Sequence, residues 1–160
     1  MDENTEPTQI AVRIESCIPS EFHQHEIGSY SPDTTDLQYT TTYDLDFSRE
    51  THHLYVNLDV EVWLKSEEGR IDVAGISTRT TFKFRDLAPL LEENENEINV
   101  PDPVIASLLG VAVSTTRGIL IGMSCDSLLS SNPLPMLSPM DMLRQMKAAA
   151  EEEANDAALE

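Results

Sequence analysis

The sequence is short of basic residues, cysteine, glycine and long apolar runs, and each shortage closes off a class of function. Only 10 lysines and arginines face 29 aspartates and glutamates, a formal charge of −19. Such a surface repels the phosphate backbone of nucleic acids and anionic membranes, and suits a basic partner or plain solubility. The 2 cysteines, Cys17 and Cys125, lie far apart without a pairing motif, so reduced thiols are expected rather than a disulfide framework. The 6 glycines are dispersed and none is followed by lysine in a Walker pattern, which leaves no loop to cradle a nucleotide. The longest apolar candidate, Ile105 to Met123, is broken by Ser107, Ser114, Thr115, Thr116 and Arg117, so no membrane span is expected. The opening residues are acidic and lack the basic start and apolar stretch of a secretory signal, which points to the cytoplasm.

What is present suits one domain: 160 residues, 40% of them hydrophobic. Residues 1–7 have no apolar content to offset ordering entropy and read as a disordered leader; 8–147 form the domain, and 148–160 an acidic tail. Alternation of Ile10, Val12 and Ile14 with polar residues predicts a first strand over Gln9 to Glu15. An irregular excursion from Ser16 to Asp36, with Pro19, Gly28 and Pro32, then returns the chain to the sheet. Leu37, Tyr39, Thr41, Tyr43, Leu45 and Phe47 share one face of a second strand. Leu54, Val56, Leu58, Val60, Val62 and Leu64 mark a third with the cleanest period of two in the chain. A turn ending at Gly69 leads to a fourth strand, Ile71 to Phe84, whose apolar phase slips around Gly75 and predicts a bulge there.

Beyond an acidic connection carrying Glu92, Glu93, Glu95 and Glu97, Asp102 as N-cap and Pro103 in the first turn predict a helix to about Cys125. Pro133 and Pro135 interrupt it, and Ser138, Pro139 and Asp141 restart a second helix. Its apolar side is rich in methionine, which suits a loose core or an adaptable binding groove. The fold class is therefore α+β, a four-stranded antiparallel sheet followed by two helices.

No catalytic constellation emerges, and no enzyme activity or cofactor is expected. His23 and His25 share a strand face at zinc-binding spacing, but no third ligand is signalled nearby. Ser124, between Gly122 and Asp126, sits at a helix end rather than on a strand-to-helix turn, so it is no nucleophile elbow. Arg117, within an apolar helix, should reach solvent, pair with a carboxylate or cap a subunit contact. Asp59, Glu61 and Asp72 fall on the wet face of the sheet.

From Thr81 onward a pattern accumulates: Phe82 and Phe84, an acidic linker, Asn99, Val100 and Pro101. It continues with Ser114, Thr115, Thr116, Arg117 and Gly118, and then Leu134 through Met140. This resembles the SecB family of protein-export chaperones, in particular its SecB-like branch. The resemblance implies an ATP-independent holdase that binds unfolded precursor proteins in apolar grooves, delivers them to the SecA motor and assembles as a homotetramer, a dimer of dimers. It places the groove along the crossover and second helix, at Leu134, Met136, Leu137, Met140, Leu143 and Met146. It also packs the first helix between dimers and pairs the first strand with its twin.

Two stretches depart from the family's export members. These carry an acid just after the first strand and another early in the fourth, which help dock the motor. Here the stretches read Ile18 and Pro19, and Val73, Ala74 and Gly75. Asp59, Glu61 and Asp72 are the candidates for a replacement acidic docking face, though a solvated sheet surface explains them equally well. A SecB-like chaperone dedicated to one partner, such as the antitoxin of a toxin–antitoxin pair, would not need such a face. A small metal-binding protein using His23 and His25 is the remaining alternative.

Overall fold

The computed structural model describes residues 10–26, 37–67, 69–90, 98–124, 128–131 and 133–157. The expected leader, the run Glu92 to Glu97, Cys125, and the excursion beyond Glu26 as far as Asp36 lie outside them.

Four strands, β1 (Val12–Gln24), β2 (Leu37–Ser48), β3 (His53–Ser66) and β4 (Gly69–Phe84), form one antiparallel sheet in the order β1-β4-β3-β2. β3 and β4 occupy the centre, and both bury the side chains of their core-facing positions. Leu54, Val56, Leu58, Val60, Val62 and Leu64 of β3 share a face with Phe82, Thr80, Thr78, Ile76 and Ala74 of β4, and all are buried. Each such aliphatic or aromatic side chain is worth about 1.5–3 kcal/mol on burial.

Two sequence expectations about the strands need correction. β1 does not stop at Glu15; it runs on to Gln24 along β4, with register shifts between Ile14 and Ser16 and between Pro19 and Glu21. Those shifts scramble the period of two, and an edge strand tolerates Pro19, whose missing N–H breaks no central ladder. The slip in β4 falls at Val73, between the Val62–Ala74 and Trp63–Asp72 pairs. Gly75 instead serves a close approach: a Cβ there would stand 2.3 Å from Cε1 of His23, whose ring lies across it. The turn into β4 does need its glycine, since Gly69 has φ of 125°.

α1 (Asp102–Met123) begins one residue earlier than expected, with Pro101 as its N-cap, because the Pro101 carbonyl accepts from the N–H groups of both Val104 and Ile105. By length and composition α1 could cross a membrane despite its polar interruptions, contrary to the sequence reading. Its apolarity has a local use, since Leu109, Ala112, Val113, Thr116 and Leu120 are buried within the fold. One helical turn, α2 (Leu128–Ser131), follows where no helix was expected. α3 (Pro139–Ala157) starts as predicted, with the Ser138 carbonyl accepting from Asp141 and Met142, and continues through most of the expected tail.

Candidate functional site

The site grows from the way the crossover and α3 are fastened to the sheet. Arg117 pairs with no carboxylate among the described residues; half-exposed, it spends its guanidinium on backbone carbonyls. From α1 its Nε donates to the Leu134 carbonyl at 2.7 Å and its guanidinium also donates to the Pro135 carbonyl at 2.7 Å. Two prolines strip the crossover of donors for regular structure, and this fork supplies its carbonyls with partners. Leu134 is thereby held in the core, at 2% exposure. Gly110 lets α3 begin close to α1, because a Cβ there would sit 3.1 Å from Cγ of Pro139.

α3 is then tied to β2, where the Tyr43 hydroxyl donates to the Met142 carbonyl. Burial of Met142 and Leu143 completes the attachment. Past that point the helix face and the strand stand apart. Gln145, Met146, Ala149 and Ala150 of α3 and Thr41, Thr42, Tyr43 and Asp44 of β2 enclose an open groove of about 480 Å³. Two adjacent alanines keep the helical wall low. β2 has no second partner among the described strands, so one row of its backbone N–H and C=O groups points away from the sheet beside this groove.

A second cavity of about 310 Å³ lies among Leu45, Phe47, Leu54, Ile98, Val100 and Ile105. Lys147 and Asp102 also line it, and they are joined at 2.6 Å.

Desolvation marks the same strand. Burial pushes the Tyr39 phenol up to about 12 and raises that of Tyr43 as well. Tyr43 lines the groove, whereas Tyr39 packs against the core beside it.

The six groove residues expected from the resemblance are dispersed by the fold. Leu134 and Leu143 are buried at 2% and 1% exposure, while Leu137 is half-buried against the core. Met136, at 91% exposure, and Met140, at 38%, face solvent. Of the six, Met146 lines the groove. Thr41, Thr42, Asp44, Gln145, Ala149 and Ala150 were missed. The alternation of β2 was readable, but nothing in a single sequence says which strand ends the sheet.

The acidic candidates have mixed environments. Glu61 and Asp72 both bind the Arg70 guanidinium, at 2.7 and 3.0 Å, and hold its pKa above the usual arginine value, Glu61 foremost. Arg70 also lies 5.2 Å from the centre of the Trp63 ring. Asp59 is exposed on the same outer face of β3. The rings of His23 and His25 are 5.5 Å apart, and no group of three potential metal ligands occurs among the described residues. Ser124 is buried, its hydroxyl donating to the Ile121 carbonyl.

No family model and no curated protein sequence matches the chain. Among solved structures it is similar to the SecB-like chaperone Rv1957 of Mycobacterium tuberculosis in complex with a ChAD peptide from the Rv1956 HigA1 antitoxin. That likeness has 12% identity over 81% of this chain and 87% of the other, with a TM-score of 0.44. A protein of unknown function from Streptococcus agalactiae is also similar, at 12% identity over 81% of this chain and 98% of that one, with a TM-score of 0.27.

Proposed function

We propose that the chain is a SecB-like, ATP-independent chaperone that holds an extended segment of one dedicated partner, such as an antitoxin, in the groove between β2 and α3. The observation that carries this reading is the open strand edge beside that groove. An extended peptide laid along β2 would find backbone partners along its length, and shallow space over Met146, Ala149 and Ala150 for its side chains. Adaptable thioethers and small residues hold apolar segments with little discrimination of shape.

A dedicated partner is favoured over a general export holdase by the state of the acids. Glu61 and Asp72 are engaged by Arg70, and Ile18, Pro19, Val73, Ala74 and Gly75 stand where the export members carry acids. Delivery to the SecA motor would rest on Asp59 and its neighbours alone. The exposed Met136 and Met140 speak for the broader holdase, because they enlarge the adaptable surface. Homo-oligomerisation and a cytoplasmic setting belong to the same proposal.

An array of overlapping peptides covering the proteins encoded beside its gene tests the reading. The expected result is capture of one or a few extended segments, abolished by Ala150→Arg, which places a long charged side chain in the groove. In parallel, a slow-folding denatured precursor is diluted into buffer with several-fold excess of the protein and no nucleotide. Unretarded refolding is expected of a dedicated chaperone, whereas saturable arrest would favour the general holdase. Failure to bind any peptide together with failure to retard refolding would overturn both.

A further inference from the structure

A third cavity differs in character from the peptide groove. Where β1 begins and β4 ends, Ala11, Val12, Arg13, His52, Lys83, Phe84 and Arg85 enclose about 490 Å³, a volume within the range of small-molecule sites. In a chain with 29 acids and 10 bases, a surface cavity should be lined mostly by carboxylates. Here three of those bases, together with a histidine, line the space, and no acid does among the described residues.

The arrangement is fixed by the backbone. Phe84 N–H donates to the His52 carbonyl at 2.9 Å and Arg85 N–H to the Ala11 carbonyl at 3.0 Å, so the carriers of the cations are held to one another. Arg13 and Lys83 face each other directly across β1 and β4, a like-charge pairing that costs stability in a sheet. Glu15 relieves part of it, lying 2.9 Å from Arg13 and 3.8 Å from Lys83, but it also binds His53 at 2.7 Å. Arg85 has no ion-pair partner among the described residues and remains exposed. His52 is held in the left-handed region, at φ of 59°. The exposed Ala11 and half-buried Val12 give the cavity an apolar side.

We propose that this cavity is an anion site, taking a ligand that presents a phosphate or carboxylate on a short apolar body. The anion would sit among Arg85, Lys83 and Arg13, where charge-assisted hydrogen bonds are strongest, and the apolar body would lie against Ala11 and Val12.

Calorimetric titration at low salt with inorganic phosphate, phenyl phosphate and phenylacetate tests this. Saturable binding of phenyl phosphate or phenylacetate, tighter than that of inorganic phosphate and weakened by added salt, is expected. Which of the two organic anions binds more tightly identifies the head group. Arg85→Glu should lower the affinity about tenfold or more. Lys65→Glu makes the same change of charge at the far end of β3 and should leave affinity intact. The proposal fails if no probe saturates, or if the two variants weaken binding equally. Neither result bears on peptide capture at β2, so the two sites are judged separately.

Discussion

α1 and α3 pack on the same face of one sheet, yet they use their sequences in opposite ways. α1 carries seven buried residues, from Ala106 to Leu120, spread over its length. α3 buries Met142 and Leu143 in its first turns, and the described side chains beyond them are exposed apart from the half-buried Met146. α1 is thus a scaffold whose position is fixed by packing, and α3 is a wall held at one end. The proposed peptide groove would draw on both: a rigid floor, and a partner surface that stability does not depend upon.

The largest effect should come from emptying the scaffold. Leu109, with no exposure, sits among Leu54, Val56, Phe82, Phe84 and Leu143. Leu109→Ala should cost about 2–5 kcal/mol, because both burial and cavity terms apply. Met140→Ala on α3 should change stability by no more than about 0.5 kcal/mol. Urea unfolding of the two variants measures the contrast directly, and similar losses would break it.

Next in size is a buried polar contact between α1 and β4. The hydroxyls of Thr116 and Thr78 lie 2.7 Å apart, and both residues are buried. Thr116→Val strands the Thr78 hydroxyl and should cost about 1–3 kcal/mol, whereas Thr78→Val with Thr116→Val should be nearly neutral, since no polar group is then left unpaired. Additive losses in this double-mutant cycle would show that the two hydroxyls do not depend on each other.

Arg117 joins the scaffold to the crossover that leads into the wall. Arg117→Ala should cost about 1–2 kcal/mol, somewhat below the usual range for charged hydrogen bonds because one of its two bonds is solvent-exposed. Limited proteolysis should show faster cleavage around Met136. Arg117→Lys should not restore protection fully, since an ammonium cannot reproduce the fork. Equal cleavage of wild type and both variants would separate the crossover from α1.

The parts of the molecule that follow from local pattern were legible in the sequence. The alternation of β2, β3 and β4, the first turn of α3 at Ser138 and the apolar core of α1 all appear where the residues place them. β1 was half-read, because two register shifts destroy its period while β4 still supplies its pairing. The six residues expected to line a groove are spread between core and surface. Leu134 and Leu143 look like groove residues by position, but whether a leucine faces a groove or a core depends on what the crossover is fastened to. That fastening is made by Arg117 through backbone carbonyls, which carry no sequence signal. The groove's small residues, Ala149 and Ala150, look in sequence like ordinary helix formers.

The smallest effect lies at high pH, on the strand that faces the wall. Burial raises the Tyr39 phenol from 10.0 to about 12 and that of Tyr43 in the same direction. Below pH 10 the phenols are protonated in folded and unfolded chains alike, and their contribution to stability is fully present. Between about pH 10 and 12 the unfolded chain releases the Tyr39 proton first, so folding is increasingly disfavoured and the contribution is lost as pH rises through the folded value. Tyr43 sharpens the contrast, because its hydroxyl donates to the Met142 carbonyl, and an ionised phenolate would release the attached end of α3. Unfolding of wild type should therefore grow steeper in this window than that of Tyr39→Phe, with the two variants parallel below it. Signals from α3 should fade before those from α1 as the pH climbs. Simultaneous loss of both helices would mean that the wall is as firmly built as the scaffold, and the division of labour between them would fall.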